Sequence, residues 1–132
     1  MTNDSRIPVW IRIVSGLIAL LGIFVGISLY VSPHTFMPDV DFTARGSQYL
    51  VQMWAARQIA IAGIIAFSVI RGSLLMLLVS LLAYAMMNVQ DIIIGFSNQD
   101  YGLAGGASFF FLLPVIMIIV LLKKQRTGDP VN

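Results

Sequence analysis

The chain has 132 residues, of which 58% are apolar and 11% charged. An average chain is about one quarter charged, and a globule of this size cannot hide so much apolar surface from water, so the solvent for most of this chain is lipid. With no cysteine, disulfide frameworks, thiol redox chemistry, cysteine nucleophiles and thiolate metal sites are excluded, and a lone histidine, His34, argues against a histidine metal site.

The pI of about 9.3 does not indicate a nucleic-acid partner. Lys and Arg sit mostly at the ends of apolar runs, whereas a nucleic-acid binder gathers them on one face or stripe. A bilayer core about 30 Å thick needs about 20 helical residues. Four runs meet that length: Ile13 to Val31, Leu50 to Ile70, Leu74 to Phe96, and Leu103 to Leu122. They lack the polar and apolar alternation of a membrane barrel, so the expected fold is all-α: one transmembrane domain over residues 1–132, packed as an up-down-up-down antiparallel bundle.

The first run follows Arg6 and Arg12 as a signal peptide would, but it is longer than a usual signal core and lacks a small-x-small cleavage site; it is expected to be a retained helix. It carries Ser15, Ala19, Gly22 and Gly26 on one face. The Gly22-x-x-x-Gly26 step lets another helix come close, either within the bundle or from a second copy of the chain in a homo-oligomer. The connection from Pro33 to Gln48 is long and mixes Pro33, His34, Phe36, Met37 and Pro38, as expected of a loop lying on the bundle's mouth.

The second run contains Arg57, seven residues in from Leu50 and so roughly 10 Å along the axis. A charge near the bilayer centre costs at least about 2.5 kcal/mol, which favours an interior or paired position. One alternative is that its long stem lifts the guanidinium toward Asp39 or Asp41 at the interface. The third run offers another partner. Ser80, Tyr84, Asn88 and Asp91 fall on one helical stripe that is expected to face inward. Side chains lean toward their own helix N-terminus, so Arg57 and Asp91 on antiparallel helices lean toward each other. A pair between them, flanked by Trp54, Gln58, Tyr84 and Asn88, is predicted to border a polar pocket in the outer half of the bundle, between the second and third helices and closed by part of the long loop. In the fourth run, Pro114 removes one helical hydrogen bond, and Phe109, Phe110 and Phe111 read as packing or lipid contacts.

Lys and Arg in the short flanks set the orientation. Arg6, Arg12, Arg71, Lys123, Lys124 and Arg126 fall on the side of the termini, against Arg45 alone on the other. Both termini are therefore expected in the cytoplasm, with the protein in the cell membrane and the long loop outside.

The run YLVQMWAARQIAIAG from Tyr49 to Gly63, followed by Arg71 and Asp91, resembles the DoxX-like group of small four-helix membrane proteins. The resemblance covers the second and third helices and implies a fold more than an activity. It departs from the group where Gln58 follows Arg57, since an acidic residue often stands there, and this shifts the counter-charge to Asp91. Links of some members to redox complexes find no support in a chain with no cysteine and one histidine.

Three functions compete. In the first, a membrane-embedded site takes a small lipophilic molecule bearing a carbonyl, carboxylate or hydroxyl: Arg57 anchors the oxygen, Asp91 moves a proton, Tyr84 and Asn88 orient the molecule, and Trp54 and Gln58 line the site. Acid-base turnover such as isomerisation, cyclisation or epoxide opening would suit these residues, with no metal and no cofactor; the residues leave open whether the chain is an enzyme at all. In the second, the chain is an accessory or assembly subunit whose ion pair only fixes its helices. The third, a transport unit, needs a polar path through both membrane halves, and below Tyr84 the third helix is apolar apart from Ser80.

Overall fold

The computed structural model describes residues 7–38, 40–43 and 45–127, with the side chains of Arg45 and Thr127 left aside; Arg6 and Asp39, which entered the expectations on orientation and snorkelling, lie outside them. The described chain forms α1 (Val9–Val31), a single 3-10 turn (Pro33–Thr35), α2 (Arg45–Arg71), α3 (Leu74–Ser97) and α4 (Tyr101–Thr127), with no strand among the described residues. All four α-helices are long and apolar enough to cross a membrane, and the chain is a four-helix integral membrane protein.

The helices overrun the spans expected from hydropathy. α1 starts at Val9 instead of Ile13, α2 at Arg45 instead of Leu50, and α4 runs from Tyr101 to Thr127 instead of from Leu103 to Leu122. Hydropathy marks only the part that matches the hydrocarbon, whereas backbone hydrogen bonding carries a helix on into the headgroup region.

Local chemistry sets the breaks. Pro33 cannot continue α1. α2 stops at Gly72, whose φ of +64° is left-handed and costs glycine little, and Ser73 then caps α3 by accepting from the Met76 N–H at 3.4 Å. Asp100 caps α4 in the same way, its Oδ1 accepting from the Leu103 N–H at 2.9 Å. α4 runs unbroken through Pro114, which is fully buried.

The bundle consists of two close pairs, α1 with α2 and α3 with α4, joined by a narrower contact between α2 and α3. The pairs are close because small residues meet. A Cβ on Gly22 would lie 2.8 Å from the Ala62 Cβ, one on Gly26 would run into Ile59, and one on Gly95 would lie 2.8 Å from the Ala104 N. The face of Gly22 and Gly26 is therefore covered by α2 of the same chain, which settles the choice between an internal and an external partner for that step. Residue numbers rise along α1 as they fall along α2, from Arg12 against Val69 to Gly26 against Ala55, so these two helices run antiparallel.

One apolar cluster at the end where α1 begins draws on every helix, through Ile11, Ile18, Ile65, Leu77, Leu81, Met117 and Leu121. A smaller one at the opposite, loop end joins Leu29, Val51 and Ala55 to Val25, Met37, Phe42 and Trp54. Outward positions such as Leu17, Phe24, Phe67, Leu75, Ile93 and Phe109 are apolar and exposed, as a lipid-facing surface requires.

Candidate functional site

With α2 beginning at Arg45, Arg57 lies twelve residues from one end of its helix and fourteen from the other (57 − 45 and 71 − 57). The Arg57 backbone is thus roughly 18 Å and 21 Å along the axis from the two ends. From that depth the guanidinium finds Asp91: Arg57 Nη2 donates to Asp91 Oδ1 at 2.9 Å, tying α2 to α3. The pair is unevenly covered, with 35% of the Arg57 side chain exposed against 11% of the Asp91 side chain. Arg57 does not reach toward Asp41, whose Oδ1 accepts from Thr43.

Two donors on α2 have no partner among the described residues. Arg57 Nε and Trp54 Nε1 are both buried and make no hydrogen bond to them. They lie three residues apart on α2 and so share one side of the helix. A buried N–H left without an acceptor costs about 1 to 3 kcal/mol, so a patch with two of them is suited to a molecule that brings an oxygen.

The α3 stripe faces inward. Ser80, Asn88 and Asp91 are buried and Tyr84 is half-buried. Its members do different things, however. Ser80 donates to its own helix at Leu77 O (3.0 Å) and approaches Ser68 of α2 at 3.5 Å. Asn88 Nδ2 donates to Tyr84 O at 2.8 Å, which leaves the amide group tied to its own helix, and Tyr84 packs against the large apolar cluster. Gln58 is half-buried, with its backbone carbonyl on the side of Gly22 in α1. Of the six residues singled out from sequence, Arg57 and Asp91 touch, Trp54 carries an unused donor one turn away on α2 while packing on the loop-end cluster, and Tyr84, Asn88 and Gln58 make no hydrogen bond to the pair.

A cavity of about 480 Å³ opens elsewhere, between the end of α1, the long loop and the start of α2. Tyr30, His34, Asp41, Phe42, Gln48 and Gln52 are among its lining residues, over an apolar floor that includes Leu29 and Val51. None of the six sequence-predicted residues lines it, and its position differs from the pocket expected between α2 and α3. The loop causes the difference. Met37 and Phe42 fold back onto Leu29, Val51 and Ala55, so the loop covers the α1 and α2 pair and the space it encloses lies there.

Within this loop Asp41 Oδ1 accepts from the Thr43 hydroxyl at 2.6 Å and from the Thr43 N–H at 2.9 Å, and these bonds hold its carboxyl below the ordinary 3.8. His34 meets Phe42 edge to face, with ring centroids 4.4 Å apart and planes at 79°. The signal for this arrangement is local: an aspartate two residues before a threonine, with an aromatic residue between them, is an Asx-type turn presenting a ring.

Comparison with known proteins finds no matching family model, no matching curated protein and no matching solved structure.

Proposed function

We propose that the chain is a cell-membrane protein with both termini in the cytoplasm and its helices running up-down-up-down, and that the Arg57 patch takes a small lipophilic molecule through a carbonyl, carboxylate or hydroxyl oxygen. The observation that carries this reading is the pair of buried, unpartnered donors, Arg57 Nε and Trp54 Nε1. Asp91 anchors one arm of the guanidinium through Nη2, which holds the ion in place and leaves Nε free to donate. The two N–H groups lie one turn apart on α2, and an acceptor brought by the molecule would satisfy one or both in surroundings of low dielectric, where each is worth more than in water. Turnover by isomerisation, cyclisation or epoxide opening would use Arg57 to stabilise charge on that oxygen and Asp91 to pass a proton, with Tyr84 turning the molecule within the bundle. The resemblance to the DoxX-like group agrees with this architecture and adds no activity.

A second reading rests on a different observation. The ion pair closes at 2.9 Å across an α2 and α3 contact that is otherwise narrow, which suits a strut in a non-catalytic accessory or assembly subunit. Thermal unfolding of the purified protein separates the two, because a ligand bound only by the folded state raises apparent stability. On the binding reading, a fraction of native lipid extract raises the melting temperature of the wild type and not that of Trp54→Phe, which keeps the ring and loses the donor. A wild type indifferent to every fraction, or a variant stabilised as much as the wild type, would leave the strut.

A further inference from the structure

The cavity at the loop end carries chemistry that the Arg57 patch does not use. Its volume of about 480 Å³ lies within the range of small-molecule sites, roughly 300 to 1,000 Å³. Three rings line it, from Tyr30, His34 and Phe42, and the His34 and Phe42 planes stand at 79° to each other, like two walls of a box. Aromatic faces carry negative charge density and attract cations. Asp41 adds a full negative charge to the same lining: both Thr43 bonds favour its ionised form, and both fall on Oδ1, so Oδ2 takes no hydrogen bond from the described residues. No lysine or arginine is among the described residues that line the cavity.

The described lining offers an anion no fixed positive charge. A bare metal ion is poorly matched as well, because a single carboxylate falls well short of the six or more oxygens that calcium takes. The partner that fits is a cation needing few hydrogen bonds and carrying apolar substituents that can lie on rings and on the floor around Leu29 and Val51. We propose that this cavity binds an organic ammonium group, best a quaternary one, with Asp41 as counter-charge and Tyr30, His34 and Phe42 as the aromatic walls. The group can come from the headgroup of a phospholipid at the membrane surface or from a soluble amine; the recognition chemistry is the same.

Titration of the full chain in an uncharged maltoside detergent with tetramethylammonium chloride, against sodium chloride at equal ionic strength, tests the site by saturation-transfer NMR of the ammonium methyl groups. The wild type gives saturable binding. Asp41→Asn, an exposed position, weakens it about tenfold, and Gln52→Lys, which puts a cation into the cavity from another exposed position, abolishes it; without ligand Gln52→Lys melts as the wild type does and Asp41→Asn only slightly below it. Competition then identifies the source. A short-chain phosphocholine lipid displacing the probe at far lower concentration than free choline points to the headgroup, and equal displacement points to a soluble amine. Absence of saturable binding above the sodium chloride control, or binding undiminished in Asp41→Asn, overturns the proposal.

Discussion

A guanidinium in the middle of a membrane helix persists only where neighbours carry its charge. Asp91 does so here, but with 35% of the Arg57 side chain still open the pair lies between two regimes. Exposed pairs contribute less than about 1 kcal/mol, and breaking a fully buried one costs about 3 to 5 kcal/mol. Asp91→Asn is accordingly expected to destabilise the protein by about 2 kcal/mol, and Arg57→Leu with Asp91→Leu to recover most of that loss, as a double-mutant cycle of unfolding in detergent would register. Arg57→Lys keeps the charge and lacks Nε, so it should lose any stabilisation by ligand while retaining most of the unliganded stability. In the loop, Thr43 holds the Asp41 carboxyl below 3.8. A carboxyl depressed in the folded state contributes stability that is present above its unfolded value and lost as pH falls through its folded one. Thr43→Val removes the hydroxyl and keeps the backbone N–H, so it should raise the Asp41 titration, followed by NMR, toward 3.8 and lessen that acid-side loss.

Among the helices, close approach depends on the absence of side chains at a few points. Gly26 has Ile59 directly against it and the Ala55 carbonyl 3.2 Å from where a Cβ would stand, whereas Gly105 has open space around it. Gly26→Leu must part α1 from α2 and is expected to cost about 2 kcal/mol or more. Gly105→Leu on the open face of α4 should change stability by no more than about 0.5 kcal/mol in the destabilising direction. Melting of the two variants in one detergent makes the comparison, and equal losses would show that the α1 and α2 contact is looser than the geometry requires. The Gly22-x-x-x-Gly26 spacing was visible in the chain, but its partner was not: a small-residue step records that something comes close, and only packing decided that Ala62 and Ile59 of the same chain do so.

For the whole molecule, the distribution of Lys and Arg predicts that the loop and the C-terminal end of α4 lie on opposite sides of the membrane. Thr43→Cys and Thr127→Cys, made singly in this cysteine-free chain, should react with an impermeant thiol reagent from opposite sides. Reaction of both from the same side would remove the proposed orientation along with the four-span arrangement.

Lipid as the solvent, four helical spans, and Arg57 as the residue needing a partner were all legible from residue types alone, because a bilayer sets helix length and the cost of charge without reference to any fold. Asp91 was legible as that partner because helical periodicity places it on the same stripe as Ser80 and Asn88, and a tight turn sets the register of α3 against α2. The tertiary structure alone decided the rest. Asn88 turned to its own backbone and Trp54 was left with an unused donor, since hydrogen bonding at membrane depth depends on which acceptors packing brings within about 3 Å. The loop, with neither helical nor strand periodicity to read, took its course from where Met37 and Phe42 found apolar surface on α1 and α2, and that contact placed the cavity beside His34 and Asp41 instead of over α3.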